Sequence, residues 1–478
     1  MRSSAEGASR AQDFLVWAVF AAGAALRTVF LVDYRPGFLG IPDTGSYIDA
    51  AHRGLFSNVY DPAGYPLFIR GVHALDPHLS LLILLQHCLG LATAALLYLV
   101  VRRVTQSKLL GLIPAVIVLF DGFGLWVEHT PISEPVFTFL VAGALYAALA
   151  AVNGPRSRLV LAGALIAAGG MVRPAGLILI PLFGAWIFGT RGGARGSRLL
   201  DAFTLIAPAC LLVGAYVVVQ NAQTGFTGIT RDSGRVFYAR AAPFADCSRF
   251  TPPAGTATLC EKTPPGSRGS PNQYLTGFPD HQAQIGPAGR SISPAWRAFG
   301  PPPNGDGPLA AFGRAAIGGQ PLDYLQAVAK DFHYYWADHH RAFIAAAARV
   351  DPAVEHAVTS YYATGAGVAN QGLGFLRWYG RSIEVTGALM IALLIAPVSG
   401  LLVRDRRARG AAVLLACTGW LLPLASDALA TVDPRYLLPA YGPLAAAVAI
   451  GAGGLGSRRG GVGSRRGGVG SRRARLPI

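Results

Sequence analysis

The sequence predicts an all-α integral membrane protein, a polytopic bundle of about ten transmembrane helices with a large loop region outside the membrane. Three observations lead to this prediction. Of the 478 residues, 52% are hydrophobic and only 14% are charged, whereas soluble domains carry roughly 25% charged residues. Apolar runs long enough to cross roughly 30 Å of hydrocarbon recur along the chain. The basic residues stand in short clusters between these runs and not on one face of a domain, so membrane lipids are expected partners and nucleic acid is not.

Each apolar run is assigned one membrane-spanning helix. The predicted spans cover residues 14–32, 79–101, 109–127, 135–152, 159–172, 177–189, 199–219, 383–403, 411–429 and 436–455. The fifth and sixth are only about 21 and 20 Å long at 1.5 Å per residue, and Arg173-Pro174 separates them as a turn. A cleaved signal peptide is the alternative to the first span, but the apolar run continues past Arg27 to Val32, which favours a retained helix.

The charges between the spans predict the orientation of the chain. With the N-terminus inside, the cytoplasmic segments hold 21 of the 41 Lys and Arg but four of the 25 Asp and Glu. This distribution obeys the positive-inside rule, and the inverse orientation violates it. We therefore expect a multi-pass protein of the plasma (inner) membrane with cytoplasmic N- and C-termini. The expected units are an N-terminal transmembrane module (1–219) with a first outer loop (33–78), an extracytoplasmic loop region with short helices (220–382), C-terminal transmembrane helices (383–455) and a disordered Arg/Gly-rich cytoplasmic tail (456–478).

Two cysteines, Cys247 and Cys260, lie in the extracytoplasmic loop region. An oxidising compartment favours a disulfide between them, which would close a short loop and contribute roughly 3 kcal/mol of stability. Two free thiols are the alternative.

The sequence lacks the motifs of soluble hydrolases and NTPases: there is no P-loop, HExxH, GxSxG or zinc-type CxxC pair. Candidate functional residues are instead the polar side chains near the outer helix ends, because such groups are costly in hydrocarbon and usually face a cavity or a partner. Asp43 begins a short helix in the first outer loop. A carboxylate held at the membrane surface can act as general base on an acceptor hydroxyl, and a role as a helix cap is the alternative.

The link between the third and fourth predicted spans, WVEHTPISEPVFTFL, supplies further acids at the outer interface. Glu134 is a candidate second catalytic carboxylate. Glu128 and His129, together with Tyr47 one turn after Asp43, are candidates for acceptor or metal contacts. The competing interpretation is that Glu134 merely stabilises the N-terminus of the helix that it begins, where negative charge is favourable.

Two arginines stand at the same outer depth, Arg173 in MVRPAGLILIP and Arg435 in TVDPRYLLPAYGPL. A guanidinium offers a forked set of donors that suits a phosphate. Arg173, Arg435 and the adjacent Tyr436 therefore form the candidate phosphate-binding set. Alternatively each arginine pairs with a neighbouring acid, such as Asp433 or Asp427 for Arg435.

Taken together, these segments resemble the GT-C fold glycosyltransferases that use polyprenyl-phosphate-linked sugars, a group that includes protein O-mannosyltransferases and lipid A aminoarabinose transferases. The resemblance lies in four pieces and in their order along the chain, over residues 27–183 and 428–446. They are an Asp-bearing first outer loop that ends in GYPLFI, then SEPVFTFL, RPAGLILIP and DPRYLLP.

The resemblance implies an inverting sugar transfer on the outer face of the membrane, to a hydroxyl of a glycan, a glycolipid or a protein. Asp43 would deprotonate the acceptor, and Arg435 with Arg173 would stabilise the polyprenyl phosphate that leaves. Glu134 would assist on the acceptor side or hold a divalent ion, the one cofactor that is considered. A single Asp precedes Thr44, where protein O-mannosyltransferases have an adjacent acidic pair, so the acceptor class and any metal requirement stay open.

A transporter or flippase of a lipid-linked or anionic substrate is the competing class. Such proteins often carry internal repeats and broken helices near the midplane of the membrane. No repeat relates the two halves of this sequence, and its polar residues cluster at the outer edge. Both features favour the transferase.

Overall fold

The computed structural model describes residues 2–276, 293–336, 340–365 and 372–460. Most of the predicted cytoplasmic tail, from residue 461 onward, lies outside these ranges. The described part up to residue 224 contains the helices α1 (Arg2–Asp33), α2 (Pro42–Arg53), α3 (Gly64–His73), α4 (Leu79–Thr105), α5 (Lys108–Phe120), α6 (Gly122–Glu128), α7 (Glu134–Ala151), α8 (Ser157–Val172), α9 (Leu179–Thr190) and α10 (Arg195–Thr224). A 3-10 turn, Pro174–Ile178, precedes α9.

The described parts of the loop region, residues 220–382, contain short helices. They are α11 (Ser233–Ala241), α12 (Pro271–Thr276), α13 (Pro294–Phe299), α14 (Asp306–Gly319), α15 (Pro321–Phe332), α16 (His340–Ala347), α17 (Pro352–Tyr361) and α18 (Gly374–Ser382). Tyr238 and Phe312 lie in a small hydrophobic core of this region. Cys247 and Cys260, for which the sequence analysis predicts a disulfide, are joined in one, with their Cα atoms 5.9 Å apart.

The chain then returns to apolar helices: α19 (Gly387–Ile395), a 3-10 segment (Ala396–Leu402), α20 (Arg406–Leu429), a 3-10 turn (Pro434–Leu437) and α21 (Leu438–Gly460). Helices α7 and α21 are the most enclosed of the long apolar helices, whereas α1 and α10 lie at the periphery. Small residues permit close packing between helices. At Gly163 of α8, for example, a Cβ atom would lie 2.0 Å from the carbonyl oxygen of Leu205 in α10.

The prediction of an all-α, multi-pass membrane protein is confirmed. In the described ranges, six helices are long and apolar enough to cross a membrane, and eight spans result if each of two bent pairs counts as one. Two shorter apolar helices, Ser157–Val172 and Pro174–Thr190, coincide with the short fifth and sixth predicted spans. The number of ten crossings stays a prediction.

The third predicted span is not one straight helix, because α5 and α6 meet at an angle of 59°. Asp121 lies at the break in an extended conformation, and its carboxylate accepts a hydrogen bond of 2.7 Å from the backbone N–H of Gly124. A side chain in this position caps the first turn of a new helix. A buried aspartate therefore ends α5 and caps the start of α6, so the chain changes direction before α7.

Alternating helix directions bring several helix ends to one end of the bundle. The backbone N–H of Phe38, after α1, donates to the carbonyl of His129 just before α7. Helix α17 packs against α2, so the loop region covers the first loop, residues 33–78. Residues from the first loop, the start of α7, the end of α8 and the start of α21 therefore meet at this end, which is called the loop end.

Candidate active site

Arg435 is the centre of a cluster of charged side chains at the loop end. Its Nη2 lies 3.0 Å from Asp43 Oδ2 in α2 and 3.0 Å from Asp433 Oδ2. Its Nη1 lies 3.8 Å from Glu134 Oε1. The Arg435 side chain is only 10% exposed, but that of Asp43 is 44% exposed. The cluster thus presents one accessible carboxylate in front of a largely enclosed guanidinium.

Asp433 holds Arg435 in place twice. Its Oδ1 accepts hydrogen bonds from the Arg435 backbone N–H at 2.9 Å and from Nε at 3.1 Å. Burial by itself would raise the pKa of Asp433, but the charge and hydrogen bonds of Arg435 lower it below the ordinary value. Asp433 is therefore ionised, as the counter-charge that a buried arginine needs.

A second arginine, Arg173, completes the cluster. Its Nη1 donates to Glu134 Oε1 at 2.6 Å and to Ser133 Oγ at 3.2 Å, and its guanidinium lies 4.5 Å from the centre of the Tyr436 ring. The residue before a proline is disfavoured in helical conformation, so Arg173 ends α8 in an extended conformation before Pro174. This break directs the side chain across to the first residue of α7.

Tyr47 connects the first loop to this pair. Its hydroxyl lies 3.1 Å from Asp61 Oδ1 and 3.1 Å from Ser133 Oγ. Burial and the negative charge of Asp61 raise the pKa of Tyr47 well above its ordinary value, so the hydroxyl keeps its proton. Because a carboxylate only accepts, Tyr47 donates to Asp61 and accepts from Ser133. The hydrogen-bond chain therefore runs from Arg173 through Ser133 and Tyr47 to Asp61.

Asp61 is the functional candidate that the sequence analysis missed. Its carboxylate also accepts from Asn58 Nδ2 at 3.1 Å. Ser46 Oγ lies 3.3 Å away, but it donates its single proton to the nearer backbone carbonyl of Asp43 at 2.8 Å. Burial and the nearby charge of Asp43 raise the pKa of Asp61 to about 6. In the sequence it stands in NVYDPAGYP, where Asn, Asp, Pro and Gly signal a turn. Only the folded chain brings this aspartate to the cluster.

Glu128 and His129 belong to a different, buried network. Arg27 of α1 forms a bidentate ion pair with Glu128, with Nε 2.8 Å from Oε2 and Nη2 2.7 Å from Oε1. His87 lies 2.9 Å from Glu128 Oε2 and 2.9 Å from His129 Nδ1, and His129 Nε2 contacts the carbonyl of Tyr34. These partners occupy the polar atoms of both residues, which does not support the predicted acceptor or metal contacts.

The cluster residues do not fit a bound divalent ion. In the part of the chain that the structure describes, no three His, Cys, Asp or Glu side chains form a group that can hold a metal. Glu134, which the sequence analysis considered as a ligand, is 1% exposed and paired with Arg173.

A cavity of about 50 Å³ extends from Glu134 into the bundle. It lies between α4, the α5 and α6 pair, α7 and α21, and most of its wall is apolar. Glu134 and Glu128 both line it, with Thr93, Leu438 and Tyr441 among the other side chains. The charged cluster thus adjoins an apolar space within the helices.

Several solved structures of membrane glycosyltransferases are similar to this chain. The oligosaccharyltransferase AglB of Archaeoglobus fulgidus, in complex with an inhibitory peptide and a dolichol-phosphate, matches with a TM-score of 0.43 and 16% identity over 97% of this chain and 53% of that chain. A protein O-mannosyltransferase complex of S. cerevisiae bound to the sugar donor matches with 0.35 and 17% over 45% and 34%. ArnT of Cupriavidus metallidurans bound to undecaprenyl phosphate matches with 0.38 and 13% over 94% and 79%.

The matched proteins are GT-C fold glycosyltransferases, the group that the sequence resembles. The chain spans 34% of the length of the yeast protein and 53% of that of the archaeal one. At identities below 25% and TM-scores below 0.5 these matches say nothing about activity, because one fold hosts many functions. No protein-family profile and no curated protein sequence matches the chain.

Proposed function

We propose that this protein is a membrane glycosyltransferase that moves a sugar from a polyprenyl-phosphate donor to an acceptor hydroxyl on the extracytoplasmic face. The observation that carries the proposal is the contact between Asp43 and Arg435, an accessible carboxylate against an enclosed guanidinium. A base for a hydroxyl and a cation for a phosphate are the two groups that such a transfer needs at adjacent positions.

The reaction is a single displacement with inversion at the anomeric carbon. Asp43 takes the proton of the acceptor hydroxyl while that oxygen bonds to the anomeric carbon. The bond between this carbon and the phosphate oxygen breaks, and its electron pair leaves with the polyprenyl phosphate. Arg435, with Arg173 beside it, stabilises the charge that develops on the phosphate.

The remaining cluster residues serve this step indirectly. Glu134 and Asp433 hold the two arginines through hydrogen bonds of 2.6 to 3.1 Å, so the cations are oriented before the donor arrives. Preorganised charge is the larger part of many enzymatic rate accelerations. Tyr436 supports Arg173 through its ring.

The location of the site suits a donor that cannot leave the bilayer. The charged cluster lies at the ends of apolar helices, and the adjoining cavity is mostly apolar. The positive-inside rule assigns the loop end to the extracytoplasmic side and both termini to the cytoplasm. A polyprenyl chain can then stay in the hydrocarbon while its phosphosugar reaches Arg435.

The decisive experiment offers purified protein in lipid nanodiscs a panel of polyprenyl-phosphate sugars with glycan, glycolipid and peptide acceptors, and measures release of polyprenyl phosphate. The substitution Asp43→Asn should lower kcat by roughly a hundred- to ten-thousandfold, the usual contribution of a general base. The control is Asp49→Asn, which removes another carboxylate of α2 that pairs with the exposed Arg53. Unchanged turnover by Asp43→Asn would exclude Asp43 as the base.

The same preparation separates transfer from transport. In proteoliposomes, wild-type protein that releases no polyprenyl phosphate with any donor but moves the lipid-linked sugar across the bilayer would establish the transporter instead. Sidedness is tested with Asp49→Cys and a membrane-impermeant maleimide on intact cells. Labelling only after the cells are opened would place the site on the cytoplasmic side and overturn the proposed reaction.

A further inference from the structure

Asp61 accepts hydrogen bonds from α2 and from the segment that follows α2 in the first loop. Tyr47, which donates to it, lies on α2 one turn after Asp43, and Asn58, the second donor, stands three residues before Asp61 itself. One carboxylate therefore ties the helix that carries the base to the segment that follows it.

The same carboxylate ends the hydrogen-bond chain that begins at Arg173. Ser133 passes this chain from the start of α7 to Tyr47 on α2, and Tyr47 is nearly completely buried. Tyr47 gives its single proton to Asp61, so Ser133 is the donor to Tyr47 at 3.1 Å, with Glu134 Oε2 as its more distant second acceptor at 3.5 Å. The position of α2 relative to Glu134 and Arg173 thus depends on an acceptor at Asp61.

We infer that Asp61 is a positioning residue, whose ionised carboxylate holds Tyr47 and thereby keeps Asp43 in register with the arginines that bind the donor phosphate. This inference rests on the proposed glycosyl transfer and deepens it. Asp61 acts through Tyr47 and touches no reacting atom. Its loss should therefore slow the chemical step and leave donor binding intact.

Protonation of Asp61 would weaken this arrangement. The charge of Asp43 opposes ionisation of Asp61, whereas Arg173, Asn58 and Tyr47 favour its charged form. Asp232 also faces Asp61, and burial together with the charge of Asp61 raises the pKa of Asp232 well above its ordinary value. Burial, together with the balance of these interactions, raises the pKa of Asp61 to about 6. Below that pH the carboxyl gains a proton and offers one acceptor fewer to its donors. The rate should consequently rise through an acid limb near pH 6 and stay constant above it.

The test uses the full-length protein in nanodiscs, with release of polyprenyl phosphate as the readout. Asp61→Asn, which resembles the protonated state, should lower kcat at pH 8 by roughly ten- to a hundredfold, the range for one hydrogen bond to a charged group. The donor KM should not change, and the acid limb near pH 6 should disappear. Asp49→Asn serves as control and should keep both kcat and the limb.

A double-mutant cycle distinguishes positioning from general destabilisation. Tyr47→Phe breaks the same chain, so Asp61→Asn combined with Tyr47→Phe should be no slower than the slower single variant. Additive losses would overturn the inference, as would an unchanged acid limb in Asp61→Asn. If Asp61→Asn does not fold, Tyr47→Phe alone must still lower kcat at constant KM, and an unaffected kcat would overturn the inference equally.

The outcome for this inference is separate from that for the proposed function. Wild-type protein without transferase activity would remove both. Active wild type with an inactive Asp43→Asn variant and a fully active Asp61→Asn variant would retain the transferase and refute only the role of Asp61.

Discussion

At the scale of single residues, the ion pair of Asp43 and Arg435 combines the proposed base for the acceptor hydroxyl with the proposed cation for the donor phosphate. The arginine also bonds Asp433 through a second edge of its guanidinium. A planar guanidinium can donate hydrogen bonds to two carboxylates and still face a phosphate, whereas the ammonium of lysine is a point charge on a flexible side chain. The identity of the cation at position 435 therefore matters as much as its charge.

The variant Arg435→Lys tests this geometry. It keeps the positive charge but loses at least one charge-assisted hydrogen bond, which costs roughly 1.5 to 3 kcal/mol. We expect kcat/KM for the donor to fall roughly ten- to a hundredfold. The measurement is steady-state release of polyprenyl phosphate. Arg377→Lys, at an exposed arginine of α18, is the matched control, and equal rates for the two variants would contradict the role of the fork.

At the scale of elements, α1 is part of the folded core at its C-terminal end. Arg27 is buried and donates two hydrogen bonds to the Glu128 carboxylate, and it also donates to the carbonyls of Gly23 and Leu119. Phe30 lies fully buried one turn further on. Removal of α1 would leave Glu128 as a buried carboxylate without its guanidinium, and retention of this helix stays a prediction.

Breaking this pair should therefore destabilise the bundle. Arg27→Met leaves a buried charge without its partner, which typically costs about 3 to 5 kcal/mol. We expect a clearly lower thermal midpoint of unfolding in detergent for Arg27→Met. The midpoint should recover in part when Arg27→Met is combined with Glu128→Gln, because the second substitution removes the unpaired buried charge. The exposed Arg35, just after α1, supplies the control Arg35→Met. Additive losses in the double variant would contradict the pairing.

At the scale of the whole molecule, a buried arginine joins the loop region to the bundle. Arg240 of α11 is fully buried and pairs with Asp331 of α15, and it lies 3.5 Å from Asp427 of α20. Tyr324 adds a hydrogen bond of 3.0 Å to the carbonyl of Ala428. The loop region is thereby held above the charged cluster, where an acceptor has to enter.

Arg240→Met should loosen this attachment. It leaves the buried Asp427 and the partly buried Asp331 without their arginine, at a cost of about 3 to 5 kcal/mol. Limited proteolysis should therefore cut the loop region at protease concentrations that leave wild type intact. Arg249→Met is the control, since its pair with Asp323 stays within the loop region, is half exposed and contributes at most about 1 kcal/mol. Equal proteolysis of the two variants would show that Arg240 does not hold the region.

Most of the architecture was predictable because the bilayer imposes simple rules on the chain. Eight of the ten predicted spans fall on single apolar helices and two, 109–127 and 383–403, on bent helix pairs, since backbone groups in hydrocarbon must form their hydrogen bonds within a helix. Asp43, Glu134, Arg173 and Arg435 were also selected from the sequence, because charges at helix ends are rare enough in such proteins to stand out. Their catalytic roles stay predictions.

Only the tertiary structure decided which charges meet. Glu128 and Glu134 stand six residues apart, yet the turn between α6 and α7 sends one to Arg27 and the other to Arg173. Asp61 resembles an ordinary turn residue until the fold sets Tyr47 and Asn58 against it. Hydropathy is a local property, so membrane-spanning segments can be recognised one after another along the sequence. A cluster of ionised groups instead depends on distances between segments as far apart in sequence as positions 43 and 435.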